Sequence, residues 1–106
     1  MSDDRNYLNI VKKIVLDKIP KDKFNIFLFG SRARRKHRFA ADIDIGVQGE
    51  IPLDQRVIST IKNEVDESII PFKVDIIDFT DVSDDFKKVA LEDIEIWNKT
   101  KFTDTK

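Results

Sequence analysis

The sequence contains no cysteine, and this absence excludes several classes of site at once. Its 106 residues also include only one histidine, three glycines and three prolines. Disulfide bonds, thiolate metal sites and a cysteine nucleophile are therefore excluded. No apolar stretch approaches the roughly 18 residues of a membrane-spanning helix. The acidic start, MSDDRNYLNI, lacks the basic and apolar regions of a signal peptide. We therefore expect a cytoplasmic protein.

The chain also lacks an excess of charge of either sign. Charged residues make up 37% of it, yet the formal net charge is only -1. A strongly basic surplus would favour nucleic acid as the partner, and here that partner is not expected. Hydrophobic residues make up 41%, which is enough for the core of one small domain. We predict a single domain over residues 1–106, with a polar, frayed tail from about Thr100.

Hydrophobic periodicity predicts an α/β domain in which helices pack on a sheet of about three strands. The first strand is a nearly continuous apolar run, which is typical of a strand buried on both faces. The last predicted helix begins near Ser83, and its apolar stripe includes Ile94 and Trp97. The order is α-β-α-β-α-β-α, with segments at residues 4–18, 23–29, 31–38, 42–48, 53–65, 72–79 and 83–97.

Three aspartates are the candidate catalytic and metal-binding residues. Asp42 and Asp44 are two positions apart on a predicted strand, so their side chains point to the same face. Two carboxylates this close repel each other, and a bound divalent cation removes that repulsion. Hard oxygen ligands favour Mg²⁺ or Mn²⁺. Asp75, on a neighbouring strand, is the best placed third carboxylate. Asp78 competes for that role but faces the other way, and we expect it to satisfy the following turn.

A glycine and a serine directly follow the first predicted strand. Gly30 permits a sharp turn or a close backbone approach. Free backbone N–H groups and the hydroxyl of Ser31 can then hold a phosphate. Ten residues separate Ser31 from Asp42, and the combined pattern would arise by chance roughly a few times in a thousand from such a composition. A phosphate site beside a metal site is what nucleotidyl transfer needs.

The segment FGSRARRKHRFAADIDIGV resembles the signature of the minimal nucleotidyltransferases, the MNT branch of the DNA polymerase β-like superfamily. In that family a Gly-Ser pair, ten residues, an Asp-x-Asp pair and a later aspartate in a strand occur in the same order. The resemblance covers nearly the whole chain. It implies a small mixed sheet flanked by helices, with ATP as substrate and Mg²⁺ or Mn²⁺ as cofactor.

The resemblance also implies a role for each residue. Gly30 and Ser31 would bind the outer phosphates of the nucleotide, while Asp42, Asp44 and Asp75 would hold the metal ions. Asp75 would also help to deprotonate the acceptor hydroxyl. The chain departs from many relatives at two positions, where Arg35 replaces a glycine and Ala41 replaces a serine.

A dense basic segment lies between the two halves of the signature, and its role is open. Arg32 and Arg34 are candidates for nucleotide binding, because an arginine fork suits a phosphate. Docking onto an acidic partner and a merely solvated loop are the alternatives. His37, the only histidine, is expected to be exposed and is given no catalytic role.

MNT proteins of the family often pair with a HEPN-domain protein, which resembles a ribonuclease toxin, and act as its antitoxin. The resemblance therefore implies transfer of AMP from ATP to a hydroxyl of a HEPN-type partner, a tyrosine in studied family members. Two alternatives stay open: an antitoxin that neutralises its partner by binding alone, and transfer to a small molecule such as an aminoglycoside. No second domain is expected to close the cleft, so a partner or a second copy of the chain would supply the missing wall.

Overall fold

The computed structural model describes residues 4–30, 42–81 and 94–100. Within these ranges the chain forms two helices and four strands. None of the helices in these ranges is long and apolar enough to cross a membrane. In chain order the elements are α1 (Asp4–Lys18), β1 (Phe24–Phe29), β2 (Ile43–Gly49), α2 (Gln55–Asp66), β3 (Val74–Asp78) and β4 (Glu95–Asn98).

The four strands form one mixed sheet in the order β3-β2-β1-β4. The central strand β1 runs antiparallel to both β2 and β4, whereas β2 and β3 are parallel. The chain between β2 and β3 includes α2, as a parallel pair requires a crossover connection. The predicted α/β class is confirmed, and the first three strands lie within two residues of their predicted bounds.

One face of the sheet carries the main hydrophobic core. Ile26 and Leu28 from β1, and Ile43, Ile45 and Val47 from β2, are at most 1% exposed. They share one buried cluster with apolar residues of both helices, including Val11, Val15, Ile61 and Val65. The apolar stripes predicted for residues 4–18 and 53–65 therefore face the sheet, as amphipathic helices do.

The opposite face of the sheet has a smaller aromatic cluster. Phe27 and Phe79 are almost fully buried, and each of their rings packs against the other and against Phe29 with centroids 5.2–6.2 Å apart. Gly46 pairs with Phe27 across β1 and β2. A Cβ atom at Gly46 would overlap the ring of Phe27 and approach Phe79 to 2.9 Å. The prediction that β1 is buried on both faces is thus confirmed. Gly46, which has no side chain, leaves space for the ring of Phe27 on the aromatic face of β1.

Asp78 fixes the end of β3, as predicted. Its Oδ1 accepts a hydrogen bond from the Thr80 N–H at 2.9 Å, which closes the following turn. Its Oδ2 accepts another from the Leu53 N–H at 2.7 Å, just before α2. Asp54 caps that helix by accepting from the Arg56 N–H at 2.8 Å. One carboxylate therefore connects the entry of α2 to the exit of β3.

The segment 94–100 corrects two sequence predictions. The sequence pattern predicts Ile94 and Trp97 at the end of a helix, but Glu95–Asn98 form the edge strand β4, so the sheet has four strands instead of three. Trp97 is buried in the core, as expected for its apolar side chain. Thr100 is 3% exposed and its N–H donates to Asn25 Oδ1 at 2.8 Å, so the predicted fraying does not begin there. The predicted helical residues 31–38 and 83–93, with His37, lie outside the described ranges.

Candidate functional site

The parallel pairing of β2 and β3 brings two of the three predicted aspartates together. Asp44 is the second residue of β2, Asp75 is the second residue of β3, and the two are direct partners in the register. Partners in neighbouring strands point to the same face, here the face that carries the aromatic cluster. Phe29, the last residue of β1, is the partner of Asp44 on its other side. Two carboxylates therefore adjoin each other where β1 ends and β2 and β3 begin.

The electrostatic environment of Asp44 disfavours its charged form. Partial burial raises the pKa of Asp44 above its ordinary value, and the negative charges of Asp75 and Asp42 raise it further. The nearby Lys73 acts in the opposite direction but does not cancel these effects. A carboxylate in this position gains from a cation, because the cation would offset both the burial and the repulsion.

Gly30 turns the chain directly against the Asp44 carboxylate. Its φ of 80° lies in the left-handed region, which favours glycine. A Cβ atom built on Gly30 would lie 2.5 Å from Asp44 Oδ2. The backbone conformation therefore favours glycine here, and a larger residue would also displace the Asp44 carboxylate. The sharp turn that the sequence predicted is present, and the end of β1 touches the carboxylate pair.

Asp42 lies at the margin of this pair. It is exposed and directly precedes β2 instead of forming part of it. Its charge still reaches Asp44, as the raised pKa of Asp44 indicates. Among residues 4–30, 42–81 and 94–100, no three acidic or histidine side chains converge closely enough to form a ready-made metal site. The structure thus groups Asp44 and Asp75 closely and leaves Asp42 beside them.

Two lysines contact Asp75, and the sequence analysis missed both. Lys62 Nζ lies 3.9 Å from Asp75 Oδ1, and Lys73 Nζ lies 3.9 Å from Asp75 Oδ2. A shallow pocket of about 210 Å³ adjoins them between α2 and β3, with Asp66 also in its lining. Lys73 and Asp75 are two residues apart and therefore lie on one side of an extended chain. This spacing was a sequence signal that could have identified Lys73. Lys62 comes from α2, and only the tertiary packing places it there.

The other predicted site residues cannot be placed in the same way. Ser31, Arg32 and Arg34 lie outside the described ranges, as do the two departures Arg35 and Ala41. Their roles stay predictions. The described site consists of Gly30, the paired aspartates and Asp42.

Comparison with known proteins decides the family. A family model described as polymerase beta, nucleotidyltransferase matches residues 11–102, which include the Gly-Ser pair and all three aspartates. The chain belongs to this nucleotidyltransferase family. It is also similar to a probable protein adenylyltransferase MntA of Haemophilus influenzae, with 33% identity over 82 residues, or 77% of this chain and 70% of that protein. The chain is accordingly a nucleotidyltransferase of the MNT type.

Solved structures with this nucleotidyltransferase fold include chains of toxin–antitoxin complexes. One is described as a toxin–antitoxin with AMP-PNP and matches with a TM-score of 0.69 at 25% identity, covering 93% of this chain and 77% of that chain. Another contains a tri-AMPylated HEPN toxin of Shewanella oneidensis with its MNT antitoxin. It matches with a TM-score of 0.64 at 23% identity, covering 94% of this chain and 75% of that chain. The second likeness concerns the fold alone.

Proposed function

We propose that this nucleotidyltransferase transfers AMP from ATP to a hydroxyl group of a HEPN-type partner protein in the cytoplasm, and that it thereby acts as an antitoxin. The observation that carries the proposal is the register pairing of Asp44 with Asp75, directly beside the turn at Gly30. Similarity to a probable protein adenylyltransferase supports the adenylyl group and the protein acceptor. Similarity to a toxin–antitoxin chain supports the antitoxin role.

The residues at the site fit a divalent cation by their chemistry. Asp42, Asp44 and Asp75 offer only carboxylate oxygens, the hard ligands that Mg²⁺ and Mn²⁺ prefer. The raised pKa of Asp44 supports this assignment, because a carboxylate that repels its neighbours gains from a cation. When bound, the cation would neutralise and orient the triphosphate. We propose these three residues as its ligands.

The proposed reaction is a substitution at the α-phosphorus of ATP. The acceptor oxygen forms a bond to this phosphorus, while the bond from the phosphorus to the α,β-bridging oxygen breaks. Pyrophosphate leaves with the bonding electron pair, and the hydroxyl proton passes to Asp75 or to water. Asp75 is proposed for this role because its side chain is partly exposed, at 28%, beside the pocket between α2 and β3.

The phosphates would bind where β1 ends. Gly30 brings the backbone within contact distance of Asp44, so an anion held at this turn would lie beside the carboxylate pair. We propose that the Ser31 hydroxyl and nearby backbone N–H groups hold the outer phosphates, with Arg32 and Arg34 adding charge. This arrangement leaves the acceptor side open, and we propose that the partner protein, or a second copy of the chain, completes it.

The test is the intact mass of the co-expressed, neighbour-encoded protein after incubation with this chain, Mg²⁺ and ATP. A gain of one or more adenylyl units, lost in the Asp42→Ala, Asp44→Ala variant, supports the proposal. Asp22→Ala is the matched control, because Asp22 is an exposed aspartate in the turn before β1 and should leave transfer unchanged.

Two other results would overturn the proposed acceptor or the proposed reaction. A stable complex without any mass gain, with toxin neutralisation intact in the double variant, would identify an antitoxin that acts by binding alone. Transfer to members of a panel of small hydroxyl compounds, without transfer to the partner, would identify a small-molecule nucleotidyltransferase.

A further inference from the structure

Two lysines from different elements converge on the same carboxylate. Lys62 is on α2 and Lys73 directly precedes β3, yet each ammonium lies 3.9 Å from an oxygen of Asp75. Lys62 contacts Oδ1 and Lys73 contacts Oδ2, so both oxygens have a positive neighbour. A surface ion pair usually involves one cation and one anion. The double contact places two positive charges around one member of the Asp44–Asp75 pair.

These contacts use the atoms that a metal ion would need. A divalent cation held by Asp75 must approach one or both of its carboxylate oxygens, to a distance of about 2.0–2.1 Å in the case of Mg²⁺. Two ammonium groups near the same oxygens would then repel the cation. The ion pairs and cation binding therefore compete, and both offset the same repulsion between Asp44 and Asp75.

The lysines are also suited to leave. The side chain of Lys62 is 47% exposed and that of Lys73 is 69% exposed, so each can extend into water without disturbing the core. At 3.9 Å the contacts are at the outer limit of an ion pair, and exposed pairs of this kind are individually weak. Exchange of these ammonium groups for a metal ion requires only rotation of two flexible side chains.

We infer that Lys62 and Lys73 are competing counter-charges of the nucleotidyltransferase site: they neutralise Asp75 when no metal ion is bound, and they lower the affinity of the site for its divalent cation. The inference rests on the proposed function, which assigns Asp44 and Asp75 as cation ligands. It gives both lysines a role in setting the metal concentration at which the site fills.

The experiment is a titration of the full chain with Mn²⁺, in which free Mn²⁺ is measured by electron paramagnetic resonance in the absence of ATP. Lys62→Met and Lys73→Met each remove a charge and keep most of the aliphatic stem. We expect each to tighten Mn²⁺ binding by about two- to fivefold, the range expected from a weak exposed ion pair. The double variant should bind more tightly than either single variant, and the effect should shrink at high salt.

A matched control and a second readout separate competition from a general charge effect. Lys13→Met removes the same charge from an exposed position on α1 and should leave the Mn²⁺ affinity unchanged. In thermal unfolding, the Asp75-contacting lysine variants should lose stability in metal-free buffer. A fixed excess of Mn²⁺ should then raise their Tm by more than it raises the Tm of the wild type, because tighter binding stabilises more.

The outcomes distinguish this inference from the proposed function. If Asp44→Asn abolishes Mn²⁺ binding while the lysine variants bind as the wild type does, competition is refuted and the metal site stands. Weaker Mn²⁺ binding by the lysine variants would likewise overturn the inference, because the lysines would then support the metal. If neither the wild type nor any variant binds Mn²⁺ without ATP, the inference fails, whereas the metal role in the proposed function is tested separately by omitting Mg²⁺ from the mass assay with ATP.

Discussion

Replacing Asp44 with asparagine should make the protein more stable while it abolishes nucleotidyl transfer. The substitution keeps the size and shape of the side chain and removes its charge. In the folded chain, Asp44 is partly buried and lies beside Asp75 and near Asp42, all of which disfavour a negative charge at this position. We expect a gain in the free energy of unfolding at neutral pH, because the unfolded chain exposes Asp44 to water and does not hold Asp75 beside it.

The magnitude follows from the spacing of the strands. Neighbouring strands lie about 4.8 Å apart, so two paired carboxylates are separated by about 5 Å. Coulomb's law then gives about 3 kcal/mol at an effective dielectric constant of 20, and about 0.8 kcal/mol in water. Asp44 is only partly buried, and Lys73 offsets part of the repulsion, so the lower end applies. We expect a gain of about 1 kcal/mol, or a rise in Tm of about 4 to 8 °C for a domain of this size.

The pH dependence of this gain identifies its cause. The pKa of Asp44 is raised in the folded state, so the folded chain binds this proton more tightly than the unfolded chain does. The penalty is therefore absent below the ordinary value of 3.8, appears as the pH rises from there through the raised pKa, and is complete above it. Asp44→Asn should thus exceed the wild type in stability at pH 7 and lose that advantage as the pH falls towards 4.

The assay is urea unfolding in metal-free buffer at several pH values, together with the mass assay for transfer. Asp22→Asn, at an exposed turn position, is the control and should change neither stability nor transfer. Asp75→Asn should gain less than Asp44→Asn, because it also loses its contacts with Lys62 and Lys73. A destabilised Asp44→Asn, or a gain that is independent of pH, would refute the electrostatic account of the pair.

Three further substitutions test other parts of the fold and site. Gly46→Ala should cost about 1–3 kcal/mol in urea unfolding, because its Cβ would overlap the ring of Phe27; wild-type stability would contradict the close packing. Asp78→Asn should lower the free energy of unfolding by about 1–3 kcal/mol, because asparagine has one accepting oxygen where Asp78 has two. Either the Leu53 or the Thr80 N–H then loses its acceptor, and an unchanged urea midpoint would refute the double contact. Gly30→Ala should strongly lower transfer and change the Tm only modestly, because the left-handed conformation disfavours alanine and the new Cβ would displace the Asp44 carboxylate. Full activity of this variant would show that Gly30 does not belong to the site.

Local patterns predicted most of the described elements. The strict alternation from Asp42 to Gln48 and the apolar run before Gly30 each indicated a strand, because burial on one or both faces imposes those periodicities. The same alternation placed Asp44 on the face opposite the core, and the strand prediction around Asp75 placed a second carboxylate on a neighbouring strand. The structure confirms that these two residues adjoin.

The fourth strand could not be predicted in the same way. Ile94 and Trp97 are three positions apart, a spacing that fits a helix, and only four residues form β4. Its pairing partner is β1, about seventy residues earlier, so the decisive contacts are non-local. Asn98 adds to them by donating hydrogen bonds to the Lys21 and Phe24 carbonyl oxygens. Tertiary pairing of this kind overrides a local pattern that is ambiguous between helix and strand.

Lys62, one of the two lysines around Asp75, was also beyond a sequence prediction. Lys62 is an exposed residue of a helix whose position is fixed by its buried apolar residues, such as Ile61 and Val65. Its long side chain reaches Asp75 only because α2 packs beside β3. A sequence pattern identifies the buried face of a helix, but it does not show which strand end the polar face approaches.

The mixed sheet holds the two carboxylates together in a way that tolerates changes in the chain that connects their strands. Gly30 follows β1, the antiparallel neighbour of the strand that carries Asp44, whereas Asp44 and Asp75 lie on parallel strands joined through α2. Each aspartate is the second residue of its own strand, so hydrogen-bonded register, and not the length of the connecting chain, sets their separation. Insertions near the exposed Ile51, between β2 and α2, would lengthen the connection and leave the two carboxylates paired. That connection follows the end of β2 opposite Asp44, so the chain can acquire a longer loop there while the chemistry of the site is preserved.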